Sequence, residues 1–248
     1  MRRALAAAVA TLSLLAGGGA PPAAGLAIES VVAPGPRVLD VKSFRPPIVW
    51  KPIPYGETRR AQMARYSSRH YGERTWRLDV PKVIVEHYTT GTTWEGAWST
   101  FAANTKHNGE YPGTCSHFIV HTDGTIYQLV PLWVRCRHAV GMNATSIGIE
   151  HVGTSDRMVL DNRVQMKASL RLTVWLMAKY GIDVGNVIGH NETLESPYRT
   201  ELYPDWWCLV HADFPHKPMK EYRTRLREVA AARGVPHGAG PVWVESGC

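Results

Sequence analysis

RVQMKASLRLTVWLMAKYGIDVGNVIGH, residues 163–190, reads as one helix followed by one strand. Val164, Ala168, Leu172 and Trp175 recur on one helical face between Arg163 and Tyr180. Asp161 and Asn162 stand where a cap is needed, and Gly181 closes the run. Val187 and Ile188 then form a short strand that runs directly into Gly189 and His190. The same alternation continues outward. Lys82 to His87 is a β-branched run bounded by Pro81 and the Thr89-Thr90-Gly91 stretch, so it predicts a strand with His87 at its end. Trp94 to Lys106 has helical spacing and stops at Asn108-Gly109. Ser116 to His121 and Thr125 to Val130 predict a hairpin turning at Asp123-Gly124, and Ser146 to Val152 predicts a further strand. Helices are expected over Glu57 to His70, ending near Tyr71-Gly72, and over about Met219 to Arg233. Strands interleaved with helices, with no internal repeat, predict an α/β fold with a single central mixed β-sheet flanked by helices.

The two ends read differently from the middle. Met1-Arg2-Arg3 precedes the apolar run Ala4 to Ala16, which is too short to span a bilayer and has the order of a secretory signal, with small residues from Gly17 to Ala27 for cleavage. The expected organisation is a signal peptide over 1–24, an N-terminal arm and helix over 25–75, a main domain over 76–235 and a tail over 236–248. Ala27 to Pro54 is rich in Pro and lacks periodicity, which predicts an extended arm on the surface or a linker. No later segment is long and apolar enough for a membrane span. The formal net charge of +7 becomes +5 once Arg2 and Arg3 leave, and this suits an anionic partner. The positive charge is not gathered into long runs, and no basic helix or stacked aromatic face points to nucleic acid. Cys115, Cys136, Cys208 and Cys248 lack paired C-x-x-C spacing, and export permits disulfides. Cys115 and Cys136 flank the hairpin and are the favoured pair.

Three metal-capable side chains fall just past an apolar strand or in a loop near one: His87, His190 and Asp213. A catalytic zinc takes three protein ligands and keeps one position for water, whose pKa it lowers toward ~7. Spacing alone does not single these residues out. The chain has eleven histidines, and a lone histidine is more often a surface or satisfied core residue. An exported zinc peptidase of the H-E-x-x-H class is excluded, because no such helix motif occurs.

The stretches VIVEHYTT, CSHFIVHTDGTIYQLVP, RHAVGMNATSIGIEHVGT and VIGHNE follow one another in an order that resembles the N-acetylmuramoyl-L-alanine amidase superfamily, which includes phage-lysozyme-type amidases and the peptidoglycan recognition proteins. The resemblance runs from about Lys82 to Phe214 and is most specific from Cys115 to Gly153. It implies an amidase-like α/β fold and a bacterial enzyme that is secreted, periplasmic or in the cell wall. It also implies Zn2+ as cofactor, peptidoglycan as substrate, and hydrolysis of the amide between N-acetylmuramic acid and L-alanine. By the same resemblance, His87 and His190 are zinc ligands and Glu150 is the general base. His138 and Asn143 are candidate substrate contacts. The family closes its site with Lys-x-Asp or Lys-x-Cys soon after the second histidine, and here the pattern departs. After a longer insertion, His211-Ala212-Asp213-Phe214 is the best match, with Asp213 as third ligand and His211 in the place of the oxyanion-stabilising lysine. Cys208 and His211 itself are the other donors open for the third place.

Further expectations are looser. His117 and His121 are offset by an even number along one strand and should face the same side. Trp94, Trp98, Trp206 and Trp207 are candidates for stacking on sugar rings, with packing the commoner role for such residues. The alternative to catalysis is a recognition protein that binds peptidoglycan without cutting it, which would lack part of the metal set.

Overall fold

A computed structural model describes Asp40 to Cys248, so the expected signal peptide and the first part of the expected arm lie outside the described residues. Six strands form one sheet in the order β1-β4-β3-β5-β2-β6. They are β1 (Val49–Trp50), β2 (Val83–Tyr88), β3 (Phe118–Val120), β4 (Ile126–Gln128), β5 (Ser146–His151) and β6 (Val187–Gly189). Strands β3, β5, β2 and β6 run parallel to one another, and the β3–β4 hairpin supplies the one antiparallel pairing, so the sheet is mixed as expected.

The period-two alternation of the strands sorts their side chains between two layers. Ile84, Phe118, Val120, Ile147 and Ile149 point into the larger core, with α3 (Asp156–Asp161), α4 (Arg163–Tyr180) and α5 (His216–Ala232). Ile119 points the other way, into a core that includes Phe101 of α2 (Trp94–Ala103) and both Cys115 and Cys136. Val83 and Val85 share that second side, as therefore does His87.

Local chemistry sets the helix ends. The Asn162 side chain accepts from the N–H groups of Val164 and Gln165, both at 3.1 Å, and donates to the Thr122 carbonyl at 2.8 Å. Gly181 ends α4 in the left-handed conformation. The buried arc of α4 is wider than the expected stripe: Met166, Leu170, Leu172, Leu176 and Met177 are all buried, while Val164 is exposed. The helix packs against both the sheet and α5, and so needs two apolar faces. Helix α3 is absent from the sequence reading, because Asn162 both ends it and caps α4, and the pair reads as one start signal. Helix α2 stops at Ala103 rather than Lys106. Asn104 takes a left-handed backbone there, and its amide accepts from Gly113 N–H and donates to Gln62. Helix α5 begins three residues earlier than expected, since Pro218 falls in the first turn, where no N–H is required.

The arm and first helix are part of the fold, not appendages to it. Residues from Asp40 on belong to one compact unit, so the boundary expected at 75/76 has no counterpart. Strand β1 pairs with β4, and Ile53 is buried. Helix α1 (Glu57–Tyr71) buries Met63 and Tyr66 completely. The buried Arg59 donates to the carbonyls of Phe101, Gly113 and Thr114, which ties α1 to the segment around Cys115. The tail is fastened by a Cys208–Cys248 disulfide, beside the expected Cys115–Cys136 bridge.

Candidate metal centre and active site

Parallel strands bring their carboxyl ends to one edge of a sheet, where ligands of α/β folds bind. Register does the rest. His87 of β2 lies opposite Glu150 of β5, and Glu86 lies opposite Gly189 of β6, which sets His190 level with His87. Three functional side chains therefore stand in a row across three adjacent strands, on the face that carries Val83 and Val85.

Asp213 reaches this row from a distant loop, held by backbone contacts. Asn191 N–H donates to the Asp213 carbonyl at 2.9 Å, the Asn191 side chain donates to the His211 carbonyl at 2.9 Å, and Phe214 N–H donates to Asp156 at 2.7 Å. Phe214 adopts a positive φ of 53°, which is uncommon for a bulky residue. A Cβ at position 189 would stand 1.8 Å from the Phe214 carbonyl oxygen, so only glycine lets the strand end and the turn approach this closely.

His87, His190 and Asp213 are all buried, and they offer one donor atom each within 4.8 Å of one another. Nδ1 of His87 and Nδ1 of His190 each lie 3.2 Å from an Asp213 oxygen. Burial alone would raise the Asp213 pKa, but hydrogen bonding from the His190 ring, the largest lowering influence, holds it well below the usual carboxylate range. Burial, then the neighbouring His190, lowers His87 to about 4.

A hydrogen-bond chain behind His87 fixes its tautomer. Ser146 Oγ donates its single proton to the Met142 carbonyl at 2.8 Å, so at 3.3 Å it accepts from Nε2–H of His138. Nδ1 of His138 is then an acceptor, and it receives Nε2–H of His87 at 3.0 Å. Nδ1 of His87 is left as a lone pair facing an ionised carboxylate, an arrangement that a cation between them reconciles. Two imidazoles and a carboxylate fit zinc, and a metal-binding histidine whose other nitrogen is engaged matches the usual support of such ligands.

These three side chains line a cavity of about 440 Å³, together with Glu150 and His211. Burial, then the charge of Asp213, raises the Glu150 carboxyl to about 8. His211 stacks on His190 with ring centroids 4.7 Å apart, and burial, then His190, lowers its pKa, so at neutral pH it is an uncharged ring with an N–H to offer.

Several expectations need correction. Cys208 is no metal donor, because its sulfur is consumed in the disulfide with Cys248. Asn143 is wholly buried and touches no cavity space. Its carbonyl oxygen accepts from the N–H groups of His138 and Ala139, and its amide donates to Tyr71, so it shapes the turn that carries His138. His138 lines the cavity, but both its ring nitrogens are engaged in orienting His87. Trp94, Trp98, Trp206 and Trp207 do not line the cavity. His117 is buried and neutral, donating to Val134 and accepting from Gly148 N–H. The sequence reading missed the role of Ser146 and the significance of Gly148. A Cβ at position 148 would stand 2.7 Å from the His138 ring, so that glycine marked the place where an aromatic ring lies on the strand.

Residues 77–201 match the family model for N-acetylmuramoyl-L-alanine amidase, Amidase_2, which is 125 of the chain's 248 residues. Among solved structures, the chain is similar to the endolysin N-acetylmuramoyl-L-alanine amidase LysCS from Clostridium intestinale, with 29% identity over 44% of this chain and 68% of that one and a TM-score of 0.37. It is also similar to LysC, an N-acetylmuramoyl-L-alanine amidase from the same organism, with 22% identity, coverage of 77% and 99% and a TM-score of 0.44. A third similarity is to the N-acetylmuramyl-L-alanine amidase AmiD from E. coli, solved in complex with anhydro-N-acetylmuramic acid-L-Ala-D-gamma-Glu-L-Lys, with 22% identity, coverage of 63% and 58% and a TM-score of 0.39. No curated protein matches significantly. The family assignment rests on the family model and not on these superpositions.

Proposed function

The chain belongs to the N-acetylmuramoyl-L-alanine amidase family and is a peptidoglycan amidase, and we propose that it works with a zinc ion held by His87, His190 and Asp213. The observation that carries the metal reading is the His87 lone pair aimed at ionised Asp213. When bound, zinc supplies Lewis-acid polarisation of the scissile carbonyl and acidifies the attacking water. Glu150, on the same cavity wall, accepts the proton of that water at a carboxylate oxygen and passes it to the departing alanine nitrogen. Burial raises the proton affinity of this carboxyl above the usual carboxylate range, which strengthens it as a proton acceptor. His211 donates its ring N–H to the oxygen that becomes negative as the carbonyl is attacked.

The recognition-only alternative needs a missing ligand, whereas all three donors lie together here. We place the enzyme outside the cytoplasm, in the periplasm, cell wall or medium. The N-terminal sequence pattern supports this, and so does the pairing of all four cysteines, which needs an oxidising compartment. Among the described residues no helix is long and apolar enough to cross a membrane.

Digestion of purified peptidoglycan with and without a chelator tests the reading. Stem peptides beginning with L-alanine should appear only with metal present. Glu150→Gln should keep its zinc and lose 10²–10⁴-fold in turnover, while His190→Ala should lose the zinc. Normal turnover by either variant refutes the assignment of roles.

A further inference from the structure

Basic side chains also gather outside the catalytic cavity, on α5. His216, Lys220, Arg223 and Arg227 follow at intervals of four, three and four, which puts them on one face of the helix. With Pro241 and Trp243 of the tail they line a second concavity, of about 540 Å³. Two of these four side chains are already paired with carboxylates. His216 lies 2.9 Å from Glu192 and 3.0 Å from Glu195, and Arg223 grips Glu192 with two hydrogen bonds of 2.6 and 2.9 Å. Lys220 and Arg227 have no carboxylate within salt-bridge distance among the described residues. At a helical rise of about 1.5 Å per residue they stand roughly 10 Å apart along the axis.

The wall of this groove is preformed. Trp243 meets the His216 ring edge-on at 5.1 Å and the Arg223 guanidinium at 5.6 Å. Val244 N–H donates to the Glu195 carbonyl at 2.9 Å, and the Cys208–Cys248 disulfide anchors the end of the tail. None of the six lining residues falls within residues 77–201, so the groove belongs to what this chain adds to its family domain. It starts at His216, three residues beyond Asp213, at the metal-bearing end of the sheet.

We propose that this groove is a second binding site, which takes the free carboxylates of stem peptides on the polymer that the catalytic cavity cuts. The inference rests on the amidase reading. A peptide-bearing glycan that leaves the cavity along α5 carries carboxylates past Lys220 and Arg227, while Trp243 offers an apolar face to the intervening chain. The site holds the enzyme on the insoluble wall and is idle on a small soluble fragment.

The test is co-sedimentation with purified peptidoglycan sacs, with cleavage stopped by Glu150→Gln in every protein compared. Adding Lys220→Glu and Arg227→Glu should weaken sedimentation about tenfold at low salt, the size expected for two exposed ion pairs. Trp243→Ala should weaken it as well. With Glu150 intact, the double variant should hydrolyse a soluble muropeptide at the parent rate, which also reports that it is folded. Amidating the sac carboxylates should release the parent protein as the charge reversals do, whereas stripping phosphodiester polymers from the sacs should leave it bound. Unchanged sedimentation of the charge-reversed protein overturns the proposal. So does release on stripping, which would assign the groove to phosphate, and so does a matching loss of muropeptide turnover, which would show no separate site. Failure of the parent to cut muropeptide would instead defeat the amidase reading, and the sedimentation result would stand apart from it.

Discussion

His87 would present Nδ1 to a metal only because the proton of Ser146 is committed to Met142, and that commitment passes through His138. Replacing His138 with Ala removes the acceptor that holds the His87 proton on Nε2. Zinc affinity should then fall 10- to 100-fold with the fold intact, the usual effect of losing such a supporting partner, as competition with a chromogenic chelator would measure. Unaltered affinity would mean that His87 keeps its tautomer unaided. His117 carries a different consequence. Burial lowers its pKa to about 4, so the folded protein holds it neutral while the unfolded chain protonates it near 6.5. Its contribution, about 3 kcal/mol by linkage, is therefore fully present above pH 6.5 and lost as pH falls toward 4. The drop in denaturant midpoint from pH 7 to 4.5 should be smaller in a His117→Gln variant than in the parent, and nitrogen shifts of this ring should stay those of a neutral imidazole at pH 5. Titration of His117 near 6.5 would contradict the assignment. At this scale the sequence displayed His87 and His190, each beside an apolar strand, and Asp213 through its family resemblance. It could not display His138 as a support or Asn143 as a scaffold, since both roles depend on which atoms are already hydrogen-bonded.

Strand order explains why the proposed site residues, far apart in sequence, meet. The pairings of β5 and β6 with β2 convert three sequence segments into one row of side chains, and the positions of His87, Glu150 and His190 follow from register. Asp213 follows from packing instead. Gly189→Ala would force β6 away from the Phe214 carbonyl, because the added methyl has nowhere to go. The loop that carries Asp213 should shift while the helices and sheet persist. The expected outcome is a weakened zinc site in a protein whose circular dichroism is unchanged; a variant that binds zinc as tightly as the parent would show that the close approach is dispensable. Strands β2 to β6, the hairpin and most helices were legible because their apolar periodicity is local. Helix α3 and the early stop of α2 were not. Both turn on single asparagines whose side chains bond to backbone or side-chain groups brought near by the fold.

The whole molecule extends further toward its N-terminus than the family match does. Residues 77–201 match the family model, yet β1 and α1 precede them and share their core. Helix α1 is legible in the sequence, but β1 is not. Strand β1 is two residues long, with Pro46 and Pro47 before it and Pro52 and Pro54 after it, so no period could emerge. Its contribution is nonetheless definite. Lys51 N–H donates to the Gln128 carbonyl, Ile53 N–H donates to the Leu129 carbonyl, and the Ile53 side chain is buried. Two backbone hydrogen bonds at about 1 kcal/mol each and one buried isoleucine at about 2 kcal/mol make a loss of roughly 4 kcal/mol when the chain starts at Glu57. The same truncation uncovers the β4 edge, which invites pairing between molecules. A protein starting at Glu57 should therefore melt at lower temperature and scatter light on standing, while keeping its metal site. One starting at Trp76 loses Arg59, which binds three carbonyls, and His70, which lies 2.7 Å from the buried Glu201. Leaving those groups unpaired in the interior costs far more than the arm alone, and the shorter protein should fail to give a cooperative melt. Should both truncations melt like the full chain, the arm and α1 would be accessories after all, and the fold would close on the residues from Trp76 onward.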